Sequence, residues 1–238
     1  MSRTVAILPA AGFGTRMGGD SRKQFRPLDG VPLIVFTLRR LAACPSISDF
    51  LISTRSDDVE ALTARIAEEK LDRPVRVLRG GDTRQQSVAN ALAEAPPDAE
   101  LVLVHDAVRP LVTREQVERV IAEARVRRAA ILGIPAMDTV KEVKRASLPN
   151  DVALITATIP RERIVLAQTP QVFEAALLRE ALARAAEDGF TASDEAGLVE
   201  RLGHDVYVVL GSERNLKITK PGDLELAEFY LAQERAAR

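Results

Sequence analysis

The sequence predicts an α/β fold: an open, mainly parallel sheet with helices on both faces. Three observations predict it. Short apolar runs recur along the chain, segments with helical spacing lie between them, and the links are short. A length of 238 residues suits one such domain, so residues 1–238 are read as a single unit.

The elements follow in order. Val5-Ala6-Ile7-Leu8, stopped by Pro9, is a buried strand. Residues 31–43 (VPLIVFTLRRLAA) have helical spacing, residues 50–54 form a second strand, and 57–69 form a mostly polar helix. Residues 75–78 are a third strand ended by Gly80-Gly81, with a helix over about 83–94 behind it. Residues 101–104 are a fourth strand. Residues 113–127 alternate charge at helical spacing, with Thr113 as N-cap. Residues 130–134 are a fifth strand.

The pattern changes at 137–160. Thr139 to Lys144 alternates, Pro149-Asn150-Asp151 signals a turn, and 152–159 is rich in β-formers, so a hairpin is inserted here. A two-stranded ribbon alone is marginal in water, and a second copy of the chain is its natural cover. Helices at about 174–187 and 194–202, a strand at 205–210, a short strand around Asn215–Thr219 and a helix from about 221 complete the chain. Pro221 suits the first turn of that last helix.

Composition excludes several classes of function. Lys plus Arg is 33 against 34 for Asp plus Glu, so the basic excess of a nucleic-acid binder is missing. The single cysteine, Cys44, permits neither an intramolecular disulfide nor a Cys-rich zinc site, and it closes an apolar helical pattern as a packing residue. The apolar stretch before Pro9 is too short for a signal-peptide core or a membrane span. A cytoplasmic protein with no membrane partner is expected.

In an open sheet of this kind, ligands bind beyond the carboxyl ends of the strands. Chemistry is therefore expected just after Leu8, Leu78, Val104 and Ile134. After the first strand stands Pro9-Ala10-Ala11-Gly12-Phe13-Gly14-Thr15-Arg16-Met17, then Lys23-Gln24. It is neither a dinucleotide fingerprint nor a Walker loop, because the third Gly and the Gly-Lys-Ser/Thr are both missing. It does carry two cations, Arg16 and Lys23, on a Gly-rich loop. Fixed cations of this kind stabilise a departing pyrophosphate more than the ground state; the competing reading is a loop with solvated charges.

After the third strand, Gly80-Gly81-Asp82-Thr83-Arg84-Gln85-Gln86-Ser87 can hydrogen-bond a base edge, or can simply start a helix with Asp82 or Thr83 as N-cap. After the fourth, His105-Asp106-Ala107-Val108-Arg109 puts a carboxylate where a sugar hydroxyl or phosphate-bound Mg²⁺ belongs, or forms a buried Asp106–Arg109 pair. His105 is read as a local hydrogen-bonding histidine and His204 as a loop residue. With only two histidines and no matched Ser or Cys nucleophile, triad chemistry is unsupported. Asp138-Thr139, Arg161, Thr169 and Lys217 add polar groups that suit phosphate.

The ordered set of Pro-Ala-Ala-Gly-Phe-Gly-Thr-Arg-Met at 9–17, Lys23-Gln24, Gly-Gly-Asp-Thr-Arg-Gln-Gln-Ser-Val at 80–88, Val-His-Asp-Ala-Val-Arg-Pro at 104–110, Asp138-Thr139, Gln-Thr-Pro-Gln at 168–171, Asp194-Glu195-Ala196 and Asn-Leu-Lys-Ile-Thr at 215–219 spans nearly the whole chain. It resembles the 2-C-methyl-D-erythritol 4-phosphate cytidylyltransferases of the non-mevalonate isoprenoid pathway. The resemblance implies a nucleotide-diphospho-sugar-transferase-like, Rossmann-like fold and a homodimer joined by arms at 137–160. It implies CTP and 2-C-methyl-D-erythritol 4-phosphate as substrates. It also implies Mg²⁺ or another divalent cation held mainly by the CTP phosphates, with no direct protein ligand.

By the same resemblance Ala10, Ala11, Gly12, Gly81, Asp82 and Ser87, with Asp106, hold the nucleoside. Arg16, Lys23 and Lys217 hold the triphosphate and are the catalytic cations. Asp106, Arg109, Thr139 and Lys217 face the sugar phosphate, and Arg161 and Thr169 reach it from the partner's arm. Pro160, before Arg161, departs from the Asp that one member of the family has there. Ending at Arg238, the chain resembles the stand-alone form rather than relatives fused to a cyclodiphosphate synthase. Two other readings stand beside this one: a ribitol 5-phosphate cytidylyltransferase, and a non-catalytic nucleotide-binding regulator.

Overall fold

The structure, a computed structural model, describes residues 3–12, 22–144 and 152–236. β1 (Arg3–Pro9) is followed, after a 3₁₀ turn at Lys23–Phe25, by the small antiparallel pair β2 (Pro27–Leu28) and β3 (Val31–Pro32). Then α1 (Leu33–Ala42), β4 (Ile47–Thr54), α2 (Val59–Ala67), β5 (Val75–Arg79), α3 (Arg84–Ala93), β6 (Ala99–Val104), α4 (Arg114–Arg127) and β7 (Ala129–Pro135) alternate. A hairpin of β8 (Val140–Lys144) and β9 (Leu154–Ile159) comes next. β10 (Val165–Glu174), α5 (Ala175–Glu187), α6 (Glu195–Arg201), β11 (Tyr207–Leu210) and α7 (Pro221–Ala236) follow.

Seven strands form the main sheet in the order β11-β7-β10-β6-β1-β4-β5. Every pairing is parallel except the two that β10 makes with β6 and β7. The pleat sorts the core into two layers, because successive strand side chains point to opposite faces. From β1, Ala6 and Leu8 pack with Ile34, Leu38, Val117 and Val120 of α1 and α4. Val5 and Ile7 pack with Val88, Ala91, Leu178 and Ala181 of α3 and α5. All are buried, and each hidden Val, Leu or Ile contributes about 1.5–3 kcal/mol. Cys44 belongs to the first layer, where burial pushes its thiol up to about 12, so it is an inert packing group.

A third, smaller cluster is the one that shapes the site. Leu28, Leu33, Val108, Leu111 and Ile218 gather there with Ala227 and Leu231 of α7. Leu216 and Ile218 both pack into it, and Lys217 between them reaches a cavity on the other side.

Three departures from the sequence reading have physical causes. β10 is not expected from the sequence, because Pro170 argues against a strand. The sheet accepts it where the register breaks between Ala167 and Gln171, at a cis Thr169–Pro170 bond. The 215–219 stretch is not a strand; Ile218 N–H donates to Val108 O at 2.9 Å, and the segment is held by burial of Leu216 and Ile218. The first helix starts at Leu33 rather than 31, because Val31 pairs with Leu28. The turn expected at Pro149-Asn150-Asp151 lies outside the described residues. Pro160 fits its place, accepting from Arg163 N–H at 3.1 Å as it opens a 3₁₀ turn.

Candidate active site

Parallel pairing of β6, β1, β4 and β5 brings their carboxyl ends to one edge of the sheet. A cavity of about 140 Å³ opens there. The turn after β1 supplies Ala10, Ala11 and Gly12 to its wall, and the following 3₁₀ turn supplies Lys23 and Gln24. Gly81, Asp82, Thr83, Arg84 and Ser87 come from the β5–α3 junction. Asp106, Ala107 and Val108 follow β6, and Lys217 closes the ring.

Local chemistry explains each placement. The buried Gln24 donates from Nε2 to Ala10 O at 2.6 Å, which sets Lys23 beside the first turn. Thr83 caps α3 through Gln86 in a reciprocal capping box. Ser87 Oγ accepts from Gly81 N–H at 3.0 Å, folding the glycine pair over the helix start. A Cβ at Gly81 would sit 2.3 Å from Gln86 Cβ, and one at Gly80 would sit 2.8 Å from Ala11 Cβ. Glycine is therefore required here by close approach.

Asp106 is the electrostatic centre. Lys217 Nζ lies 2.9 Å from its Oδ2, Arg84 Nε 3.3 Å from Oδ1, and Arg109 Nε 3.5 Å from Oδ2. Burial alone would raise the Asp106 pKa, but Arg84, Lys217 and Arg109 outweigh it and hold the carboxyl far below its usual range. Arg84 is itself held by Glu195, whose two oxygens accept from Nη1 at 2.7 and 2.8 Å. Burial raises the Glu195 pKa. Arg109 donates from Nη1 to Asn215 O at 2.7 Å, so the loops bearing Asp106 and Lys217 are tied at two points.

Behind Asp106 runs a hydrogen-bond chain. Asp106 N–H donates to Thr169 Oγ1 at 3.0 Å, Thr169 O–H faces His105 Nδ1 at 3.0 Å, and His105 Nε2 faces Arg109 O at 3.1 Å. A carbonyl only accepts, which assigns the His105 proton to Nε2 and makes Nδ1 the acceptor from Thr169. Burial pushes the His105 pKa down to about 4, so the ring is neutral. The unfolded chain binds a proton below about 6.5, whereas the folded ring resists it down to about 4. Stability from His105 is thus complete above pH 6.5 and declines between 6.5 and 4. Thermal melts at pH 7.5 and pH 5 should show a smaller loss for His105→Gln than for the unmodified chain, and equal losses would remove His105 from this account.

Of the residues singled out in the sequence, Ala10, Ala11, Gly12, Lys23, Gly81, Asp82, Ser87, Asp106 and Lys217 share the cavity. Arg109 stands behind Asp106. Thr169 corrects its expected place: it is not on an arm reaching to a partner but is buried in β10, bonded to Asp106 and His105 of its own chain. Thr139 and Arg161 lie at the root of the hairpin, Arg161 donating to Met137 O at 2.6 Å, and neither lines the cavity. The segment after Ile134 likewise contributes nothing to it. Arg16 lies outside the described residues. Sequence reasoning misses Arg84 and Gln24 as site residues; both stand inside the quoted motifs, but neither residue type signals a cavity wall without the fold.

The profile of the 2-C-methyl-D-erythritol 4-phosphate cytidylyltransferases matches residues 4–233. The chain belongs to that family. The enzyme of this name from Acidobacterium capsulatum is 52% identical over 97% of this chain and 98% of its own length. That from Solibacter usitatus is 47% identical over 98% of both chains. A crystal structure of the Thermus thermophilus enzyme is 37% identical, covers 97% of this chain and 98% of its own, and superposes with a TM-score of 0.76. The Anaerococcus prevotii 4-diphosphocytidyl-2C-methyl-D-erythritol synthase has a TM-score of 0.83 at 30% identity, with 97% and 99% covered. A cytidylyltransferase is a nucleotidyltransferase, and the fold is the family's α/β fold, a mostly parallel sheet between helices.

Proposed function

We propose that the chain joins CMP from CTP to 2-C-methyl-D-erythritol 4-phosphate, releasing pyrophosphate and making 4-diphosphocytidyl-2-C-methyl-D-erythritol for isoprenoid synthesis. One observation carries the reading: Lys23 and Lys217, far apart in sequence, line one cavity with the glycine-rich turn and Asp106. A phosphate oxygen of the sugar phosphate attacks the α-phosphorus in line as the bond to the β-phosphate oxygen breaks. The second pKa of a phosphate monoester is about 6, so the nucleophile is already anionic and needs no general base. His105, neutral and bonded through both nitrogens, is not placed to be one. Catalysis then rests on positioning and on neutralising charge.

Ala10, Ala11, Gly12, Gly81, Asp82 and Ser87 hold the nucleoside in this reading, while Arg16, Lys23 and Lys217 hold the triphosphate. Asp106, Arg109, Thr139 and Arg161 serve the sugar phosphate, and Thr169 orients Asp106 from behind. No group of three or more His, Cys, Asp or Glu among the described residues is placed to hold a metal, and Asp106 faces three cations. Such a site fits magnesium carried on the phosphates, with Asp106 as the nearby carboxylate. Bound there, the ion neutralises and orients those phosphates.

A homodimer supplies Thr139 and Arg161 in trans. Support comes from the hairpin, where Leu154 and Ile155 are 60% and 56% exposed, as are Val152 before them and Val143, the strand partner of Ile155. An apolar surface of this kind marks an interaction site. Sedimentation should give a dimer, and Leu154→Asp with Ile155→Asp should give a monomer with weakened use of the sugar phosphate; a monomeric parent chain would end this part of the proposal. No helix of the described residues is long and apolar enough to cross a membrane. Cell fractionation is expected to place the protein in the cytoplasm, and recovery with membranes would contradict that.

Pyrophosphate release tests the activity. CTP should outperform the other three nucleoside triphosphates with methylerythritol phosphate, and chelation of divalent cations should stop the reaction. Faster turnover with ribitol 5-phosphate would move the chain to that substrate, and CTP binding without turnover would make it a regulator.

A further inference from the structure

Glu195 has no role in the transfer as described, yet it is built into the site from every side. Only 1% of its surface is exposed. Its backbone opens α6, where Asp194 caps the helix by accepting from Gly197 N–H at 3.1 Å. Gln171 of β10 donates to Asp194 Oδ2 at 2.8 Å and accepts from Ala196 N–H at 3.1 Å. The side chain does not line the cavity; Arg84 does, and both Glu195 oxygens grip its Nη1.

Asp106 is thereby served by two unlike cations. Arg84 is locked by two charged hydrogen bonds to a buried carboxylate. Lys217 is a flexible ammonium with a side chain 37% exposed and 2.9 Å from Asp106. We propose that Glu195 is a positioning residue that keeps Arg84 on Asp106 as its standing counter-ion, so that Lys217 can transfer its charge from Asp106 to the phosphates. A free guanidinium is the stronger competitor for phosphate, because its planar fork binds two oxygens at once. Without Glu195, Arg84 would turn to the polyphosphate and Lys217 would stay on Asp106. The leaving group would be bound by a cation set for the ground state, which does not speed the reaction. This inference rests on the cavity being the transferase site.

The test compares the unmodified chain with Glu195→Gln, Arg84→Gln and the double variant. Titration calorimetry reads magnesium pyrophosphate affinity, and pyrophosphate release reads kcat. Glu195→Gln should bind pyrophosphate more tightly and lose kcat, each on the order of tenfold, the scale of one charged hydrogen bond. Arg84→Gln in the same chain should cancel the tighter binding, because the guanidinium that moved is gone. A purely structural ion pair would lower the melting temperature of Glu195→Gln and leave the affinity alone, and that result overturns the proposal. Should Glu195→Gln fail to fold, Glu195→Asp, which shortens the reach by one methylene, is read by the same affinity, and unchanged affinity again overturns it. Absence of turnover in the unmodified chain would sink the transferase reading instead, since the affinity measurement does not depend on turnover.

Discussion

Lys23→Ala and Lys217→Ala are each expected to lower kcat on the order of 10²-fold or more while the chain stays folded. Both ammonium groups line the cavity where a polyphosphate would lie. Charge grows on the departing pyrophosphate in the transition state, so a fixed cation there acts mainly on the barrier. A loss on the order of 10²-fold equals about 2.7 kcal/mol. Folding should survive because Lys23 sits on a half-buried 3₁₀ turn held by Gln24, and Lys217 is placed by Leu216 and Ile218, which remain. Pyrophosphate release with circular-dichroism melts checks both halves; near-normal rates in both variants would refute the assigned roles. Arg16→Ala carries the same expectation for turnover.

Asp106→Asn should abolish most activity and also cost stability, about 3–5 kcal/mol, because it leaves Arg84, Arg109 and Lys217 facing a neutral group. For a chain of this length that is a fall of roughly 10 °C in melting temperature. The sign with pH follows from the lowered pKa. The Asp106 contribution is present above the ordinary carboxylate value and is lost only as pH falls through its depressed folded value. The gap between parent and variant should therefore stay constant from pH 5 to pH 8. A gap that closes within that range would mean that Asp106 is not held ionised by its neighbours.

Most of the fold is legible because its central strands β1 and β6 carry apolar runs and the helices α3 and α4 open on the side-chain caps Thr83 and Thr113. β10 is not, since Pro170 stands where a ladder donor is expected and the sheet absorbs it by a register break that no local pattern announces. Residues on strand ends and in the glycine turns are legible as site residues because topology alone puts them at one edge. Thr169 and Arg84 depend on pairings across 63 and 111 residues, with Asp106 and Glu195 respectively, and such distances leave no trace in spacing. The proposed partner contributions of Thr139 and Arg161 depend on a surface that a single chain does not complete.

The most direct test of the central claim is a crystal structure of the chain with CTP and magnesium. Lys23 Nζ and Lys217 Nζ should both lie about 3 Å from phosphate oxygens of one nucleotide seated between the glycine turns. A triphosphate bound elsewhere, or touched by only one of the two ammonium groups, would contradict the account.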